Sequence, residues 1–160
     1  MNYPITPAIR VLRERRVEFK SHVFEYIEKG GTKHSAEVLK VPEHAVIKTL
    51  VFETNDQKPL IVLQHGDFQV STKELARAFN VKTIAAVSPE RANKLTGYLI
   101  GGTSPFGLKT KMPIYAEKTI FDLEKIYING GKRGFLIEIA PRVLRDVLEI
   151  ETVEVKQNAD

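Results

Sequence analysis

Residues 46–53 read VIKTLVFE, the strongest strand signal in the chain. Period-two alternation puts Lys48 on one face with Leu50 and Phe52, and Ile47, Thr49 and Val51 on the other. Both faces are largely apolar, so the segment reads as a central strand covered on each side. Lys48 is the anomaly. Burying an unpaired ammonium is costly, so this side chain should face a cleft and meet an anion or a carbonyl there. The competing reading is a lysine that snorkels out at a strand end.

Working outward, Thr54-Asn55-Asp56 forms a turn, and LIVLQH (60–65) is the expected pairing partner. On the other side, SAEVLKV (35–41) suggests a short helix that stops near Pro42, since the residue before proline disfavours helical backbone. VEFKSHVFEYI (17–27) is rich in β-branched and aromatic residues and reads as a strand broken by Lys29-Gly30-Gly31. Thr6 and Pro7 look like the cap and first residue of a helix with Ala8, Ile9 and Leu12 inward.

Toward the C-terminus, Ser71 and Glu74 have capping-box spacing before a helix containing Leu75, Ala76 and Phe79. TIAAV (83–87) reads as a strand, and Ser88-Pro89-Glu90 opens a helix that Gly97 can end. PIYAE (113–117), KIYIN (125–129) and FLIEI (135–139) read as strands, with Asn129-Gly130-Gly131 as a hairpin turn. Pro141 opens a last helix through Leu148, and ETVEV adds a final strand. About seven strands with interspersed short helices, joined more by hairpins than by βαβ spacings, make an α+β chain. Its 160 residues suit one domain spanning 1–160, and His65-Gly66-Asp67 reads as a turn.

The charge balance is mild: 24 Lys and Arg against 20 Asp and Glu, net +4. That tolerates a polyanionic partner without demanding one. With no cysteine, disulfides, thiol catalysis and thiolate metal sites are excluded. No secretory h-region and no apolar run of membrane-spanning length is present, which reads as a soluble, cytoplasmic protein without a membrane partner.

The loop GYLIGGTSPFGLKTKMP (97–113) superficially mimics a phosphate-binding GxxxxGK[ST]. Leu108 separates Gly107 from Lys109, and Pro113 falls where a helix should begin, so the mimicry fails. Gly101-Gly102 instead permits positive φ and close backbone approach, while Pro105 stiffens the turn. Such a segment presents main-chain groups to a ligand, or is a plain connection between strands. His22, His34, His44 and His65 have no paired metal-ligand spacing, and Ser104 has no sequence feature pairing it with a base, so neither a metal nor a cofactor is expected. Basic residues cluster at Arg10 to Arg16, at Lys109 with Lys111, and at Lys132-Arg133; converging around the Lys48 cleft, they could track a phosphate backbone.

Three segments together, VIKTLVF around Lys48, TGYLIGGTSPFG (96–107) and YINGGKRG (127–134), resemble the YbaK/EbsC family. Its members are free-standing relatives of the editing domain inserted in bacterial prolyl-tRNA synthetases. The similarity runs from TPAIRVLRERRVEF (6–19) to the helix ending near Leu148. It implies a mixed α+β domain around a strongly curved, barrel-like sheet surrounded by short helices. It also implies an aminoacyl-tRNA deacylase that releases a wrong amino acid, most often cysteine from tRNA(Pro), with the substrate's own thiol attacking the ester and no protein nucleophile.

Carried onto this chain, the family's lysine falls on Lys48 and its GxxxP loop on Gly101 to Pro105. The resemblance thus implies catalytic roles for Lys48, Gly101 and Gly102. It implies substrate contacts at Tyr98, Thr103, Ser104, Pro105 and Asn129, and tRNA contacts at Lys109, Lys111, Lys132 and Arg133. A prolyl-tRNA synthetase is an implied partner. The chain departs from the family at Asn129, where serine is common, at Leu136, where aspartate is common, and at Phe24 and Tyr26 of an H-x-Y-x-H stretch. Those departures bear on which amino acid is accepted. Release of another small amino acid such as alanine, a non-catalytic tRNA- or nucleotide-binding module, and a small-molecule-binding domain are the alternatives.

Overall fold

Thr6 organises the start of the chain. In the computed structural model, which describes residues 2–158, its Oγ1 accepts from the N–H of Ile9 at 3.1 Å and donates to the carbonyl of Gly130. Pro7 then opens α1 (Pro7–Glu14), and Ala8, Ile9 and Leu12 are fully buried. The next strand, β1 (Lys20–Val23), is shorter than the apolar stretch 17–27 suggests. Residues 24–27 leave the ladder; the N–H of Phe24 still bonds the carbonyl of Gly134, so this segment follows the sheet without joining it. The second helix, α2 (Gly31–Leu39), begins earlier than expected and ends on Lys40 in a left-handed conformation, φ 58°.

β2 (Val46–Thr54) is the hub. It pairs antiparallel with β3 (Pro59–His65) across the expected turn, where the N–H of Gln57 bonds the carbonyl of Thr54 at 2.8 Å. A short ribbon strand, β4 (Phe68–Val70), comes next, then α3 (Thr72–Ala78), β5 (Ile84–Ala86) and α4 (Pro89–Thr96). Only half of the capping box forms. Ser71 Oγ accepts from the N–H of Glu74, but the Glu74 carboxylate turns to Arg77, and the N–H of Ser71 is taken by the carbonyl of Val155. Gly97 ends α4 with φ 83°.

The remaining elements are β6 (Ile114–Glu117), β7 (Ile126–Lys132), β8 (Phe135–Ile139), α5 (Arg142–Val147), β9 (Ile150–Val153) and β10 (Lys156–Asn158). The large mixed sheet runs β1-β8-β7-β2-β3-β6-β9, with β5 on the flank of β2. Parallel pairs join β2 to β7, β3 to β6 and β6 to β9. Among the described residues the path ends at β1 and β9 without a pairing between them. β4 and β10 form a separate two-stranded ribbon that sequence patterning missed.

Asn129-Gly130-Gly131 is not the hairpin turn. It is a bulge within β7, where the register with β8 shifts between Asn129 and Lys132, and the turn falls at Arg133-Gly134. Gly134, at φ 74°, supplies the left-handed residue.

Both faces of β2 are covered, as its composition implied. Ile47 and Val51 join the main core with Ile9, Leu12, Ile61, Leu63, Ile128 and Ile137, while Phe52 packs with Leu60, Val62, Leu75 and Ile84 on the other side. Each fully buried Leu, Ile or Phe contributes about 1.5–3 kcal/mol. A third cluster, Ala36, Ala45, Val46, Tyr127 and Leu136, lies where α2 meets the sheet. Among the described residues no helix is long and apolar enough to cross a membrane.

Candidate functional site

A cavity of about 500 Å³ opens beside the first half of β2. Val46 to Leu50 form one wall, Phe24, Tyr26 and Ile27 a second, and Ile100, Gly101 and Thr103 a third; Asn129, Arg133 and Leu136 come from the β7–β8 hairpin. Ile27 and Ile100 are half-exposed, so the rim is apolar.

Lys48 is half-buried on this wall, and its ammonium donates to the carbonyl of Phe68. An ammonium carries three donors, so one is anchored to the protein and two remain for a ligand. Burial pulls the Lys48 pKa below its ordinary 10.5, against the opposing pull of the Glu43 and Asp67 carboxylates. The residue therefore neither snorkels nor lies unpaired: a backbone carbonyl aims it. Next to it, Thr49 Oγ1 is buried and has no hydrogen-bond partner among the described residues.

The turn after α4 supplies the second component. Gly101 sits at φ 85°, and a Cβ there would lie 2.8 Å from Tyr26 Oη, so backbone angle and space both require glycine. The N–H of Gly102 bonds the carbonyl of Leu99 at 2.9 Å. The N–H groups of Gly101 and Thr103, both on the cavity wall, have no partner among the described residues. Gly101 and Thr103 thus line the same hollow as Lys48.

Lys48, Gly101, Thr103, Asn129 and Arg133 are brought together here, and other expected residues are not. Tyr98 is a core residue: its hydroxyl donates to the carbonyl of Phe106 at 2.5 Å, and burial pushes its pKa up to about 12. Ser104 is fully buried, and its Oγ accepts from the N–H of Phe106. Gly102 is buried against the backbone of Lys132 and Arg133. Pro105 and Lys111 line a second, separate cavity with Tyr115 and Leu148, while Lys109 and Lys132 are exposed and line neither. The GGTSP segment is therefore divided, with Gly101 and Thr103 facing the site and Ser104 and Pro105 securing the turn from behind.

Phe24 and Tyr26, the departures from the family's H-x-Y-x-H stretch, do lie on the cavity wall, together with Ile27, which the sequence does not mark. A histidine pair was also missed. The rings of His44 and His65 stack at 3.7 Å with an interplanar angle of 5°. His65 Nδ1 donates to the carbonyl of His44, leaving Nε2 to accept from Thr119 Oγ1, and His44 Nδ1 faces the Asp67 carboxylate at 2.9 Å. These three side chains could approach one cation. However, parallel planes offer no point lying in both rings, which in-plane nitrogen ligation needs. Burial lowers the His65 pKa from 6.5 despite its bond to His44.

The sequence and the architecture both have known counterparts. Residues 30–147 match the family model of the aminoacyl-tRNA editing domain. EbsC of Enterococcus faecalis, a candidate Cys-tRNA(Pro)/Cys-tRNA(Cys) deacylase, is 29% identical over 151 residues, covering 94% of this chain and 92% of its own. A proline–tRNA ligase of Brachyspira hyodysenteriae is 28% identical over 86 residues, which are 54% of this chain and 15% of that longer one. A solved structure of a candidate trans-editing enzyme for prolyl-tRNA synthetase shares the fold with TM-score 0.82 at 21% identity, over 97% of this chain and 100% of that one. With most of its length matched by the family model, the chain belongs to the aminoacyl-tRNA editing domain family.

Proposed function

We infer that the chain is an editing deacylase acting in trans on mischarged aminoacyl-tRNA, with Cys-tRNA(Pro) as its substrate. The observation that carries this reading is the meeting, on one cavity, of Lys48, whose ammonium is anchored to a carbonyl, with Gly101 and Thr103, whose main-chain N–H groups have no partner among the described residues. Ester cleavage builds negative charge on the carbonyl oxygen. Preorganised donors in a partly desolvated site stabilise that charge more than water can. In this reading Lys48 and the N–H groups of Gly101 and Thr103 supply such donors, with Asn129 holding the Gly101 carbonyl.

The Thr32 hydroxyl on the cavity wall donates to the Glu43 carboxylate at 2.7 Å, but a cysteinyl ester carries its own thiol, and in this reading that thiol is the attacking group. A sulfur–carbon bond forms as the ester C–O bond breaks. The ribose oxygen leaves with the thiol's proton, and water then opens the cyclic thioester. The enzyme's contribution is to hold thiol and carbonyl in register. The match to EbsC over nearly the whole of both chains supports deacylation of a cysteinyl-tRNA. Exposed Lys109, Lys111 and Lys132 are the tRNA-facing cations in this reading.

The test is ester loss from tRNA(Pro) charged in turn with cysteine, alanine and proline. Release of cysteine but not proline is expected. Release of alanine instead would assign the attack to water, and release of none would leave a binding module.

A further inference from the structure

Two side chains of the β7–β8 hairpin hold successive carbonyls of the turn after α4. Arg133 Nε donates to the carbonyl of Ile100 at 2.9 Å, and Asn129 Nδ2 donates to that of Gly101 at 3.0 Å. The Asn129 amide is itself oriented by the β7 bulge, since its Oδ1 accepts from the N–H groups of Gly131 and Lys132 at 2.6 and 3.0 Å. The Arg133 guanidinium lies over the Tyr26 ring, 5.0 Å from its centroid. At Gly102 the two backbones nearly touch: a Cβ would come within 2.9 Å of the Arg133 nitrogen.

A peptide unit is planar and trans, so its C=O and N–H point in opposite directions. The carbonyl of Ile100 and the N–H of Gly101 belong to one such unit. Whatever fixes that carbonyl also fixes the direction of that donor. Asn129 does the same for the unit whose N–H, on Gly102, is already bonded to Leu99. The direction of the Gly101 N–H thus depends on Arg133, whose guanidinium also lies over the Tyr26 ring.

We propose that Arg133 is a positioning residue: through the Ile100 carbonyl it fixes the direction of the N–H of Gly101, a residue of the cavity wall, and its charge is not a phosphate contact. This rests on the deacylase reading for its kinetic consequence but not for its structural one. Lysine would keep the charge while losing both the planar stack and the Nε donor. A phosphate contact survives that exchange; a positioning role does not.

The experiment compares Arg133→Lys and Arg133→Gln with the wild type, each confirmed folded by its thermal melt. Deacylation of Cys-tRNA(Pro) is measured across a salt series, and the Gly101 amide resonance is recorded in the substrate-free protein. Positioning predicts that both variants lose about 10- to 100-fold in kcat. It also predicts an unchanged slope of log KM against log salt, and a shifted Gly101 amide in both. A phosphate role predicts near-normal kcat for Arg133→Lys, and for Arg133→Gln a salt slope smaller by about one. That pattern, or a Gly101 amide unmoved in both variants, overturns the proposal. If the wild type does not deacylate, the editing reading fails, and the amide shift still decides the role of Arg133.

Discussion

Replacing Gly101 by alanine perturbs one wall of the cavity in a way that can be worked through from the structure. At φ 85° an L-residue occupies left-handed backbone, which costs about 1–2 kcal/mol. The new methyl would lie 2.8 Å from Tyr26 Oη, so something must retreat by about 0.6 Å to reach an ordinary 3.4 Å contact. In a chain of this length each kcal/mol lowers Tm by about 2–4 °C, giving a loss of about 2–8 °C in a protein that stays folded at 25 °C. A misplacement of about 1 Å can cost 10²-fold in rate, so half that displacement predicts a fall in kcat/KM of about tenfold or more. Gly97→Ala is the control. It carries the same backbone strain at φ 83°, but its methyl has ordinary room, 3.4 Å from Lys109 Cβ. Differential scanning calorimetry should show comparable Tm losses, and single-turnover deacylation should separate the two. Wild-type kcat/KM in Gly101→Ala, or an equal loss in Gly97→Ala, would refute the assignment of this turn to the site.

Lys48→Met should leave Tm unchanged or raised near neutral pH, because it removes an ammonium whose burial is unfavourable; a clear drop in Tm would make the lysine structural. For Lys48 itself the folded pKa lies below 10.5, so its stability term is fully favourable only above that pH and is lost as pH falls through the folded value. Thr49→Val removes a buried hydroxyl that has no partner among the described residues, so Tm should hold or rise; a clear drop in Tm would show that the hydroxyl is satisfied in the folded protein. His65 has a folded pKa below 6.5, so its contribution is intact above pH 6.5 and is lost as pH falls through the folded value. Tm should therefore decline on acidification below pH 6.5, and more shallowly in His65→Asn; parallel slopes would exclude His65 as the source.

The parts of this molecule that were legible in the sequence are those decided by neighbours in the chain. Thr6-Pro7 and Ser88-Pro89 announce helix starts because a cap and a pre-set φ act locally. VIKTLVFE announces a strand covered on both faces because alternation is a local property, and Lys48 stands out against it. What stayed hidden is decided across long separations. Tyr26, Gly101 and Arg133 meet only once the segment after β1, the turn after α4 and the β7–β8 hairpin are assembled. The sequence signal at Asn129-Gly130-Gly131 fits a bulge as well as a turn, and only pairing with β8 distinguishes them. Tyr98 looked like a pocket residue from its place beside the glycine turn, whereas its hydroxyl is spent on Phe106. β4 and β10 are only three residues each, and β10 is wholly polar, so their pairing rather than their composition makes them strands.

The most direct measurement of the central claim is the rate of ester loss from Cys-tRNA(Pro) with the wild type and with Lys48→Met at matched folded concentration. The account predicts rapid release by the wild type and, in the variant, a rate close to that of tRNA in buffer alone. Equal release by both proteins, or none by either, would contradict it.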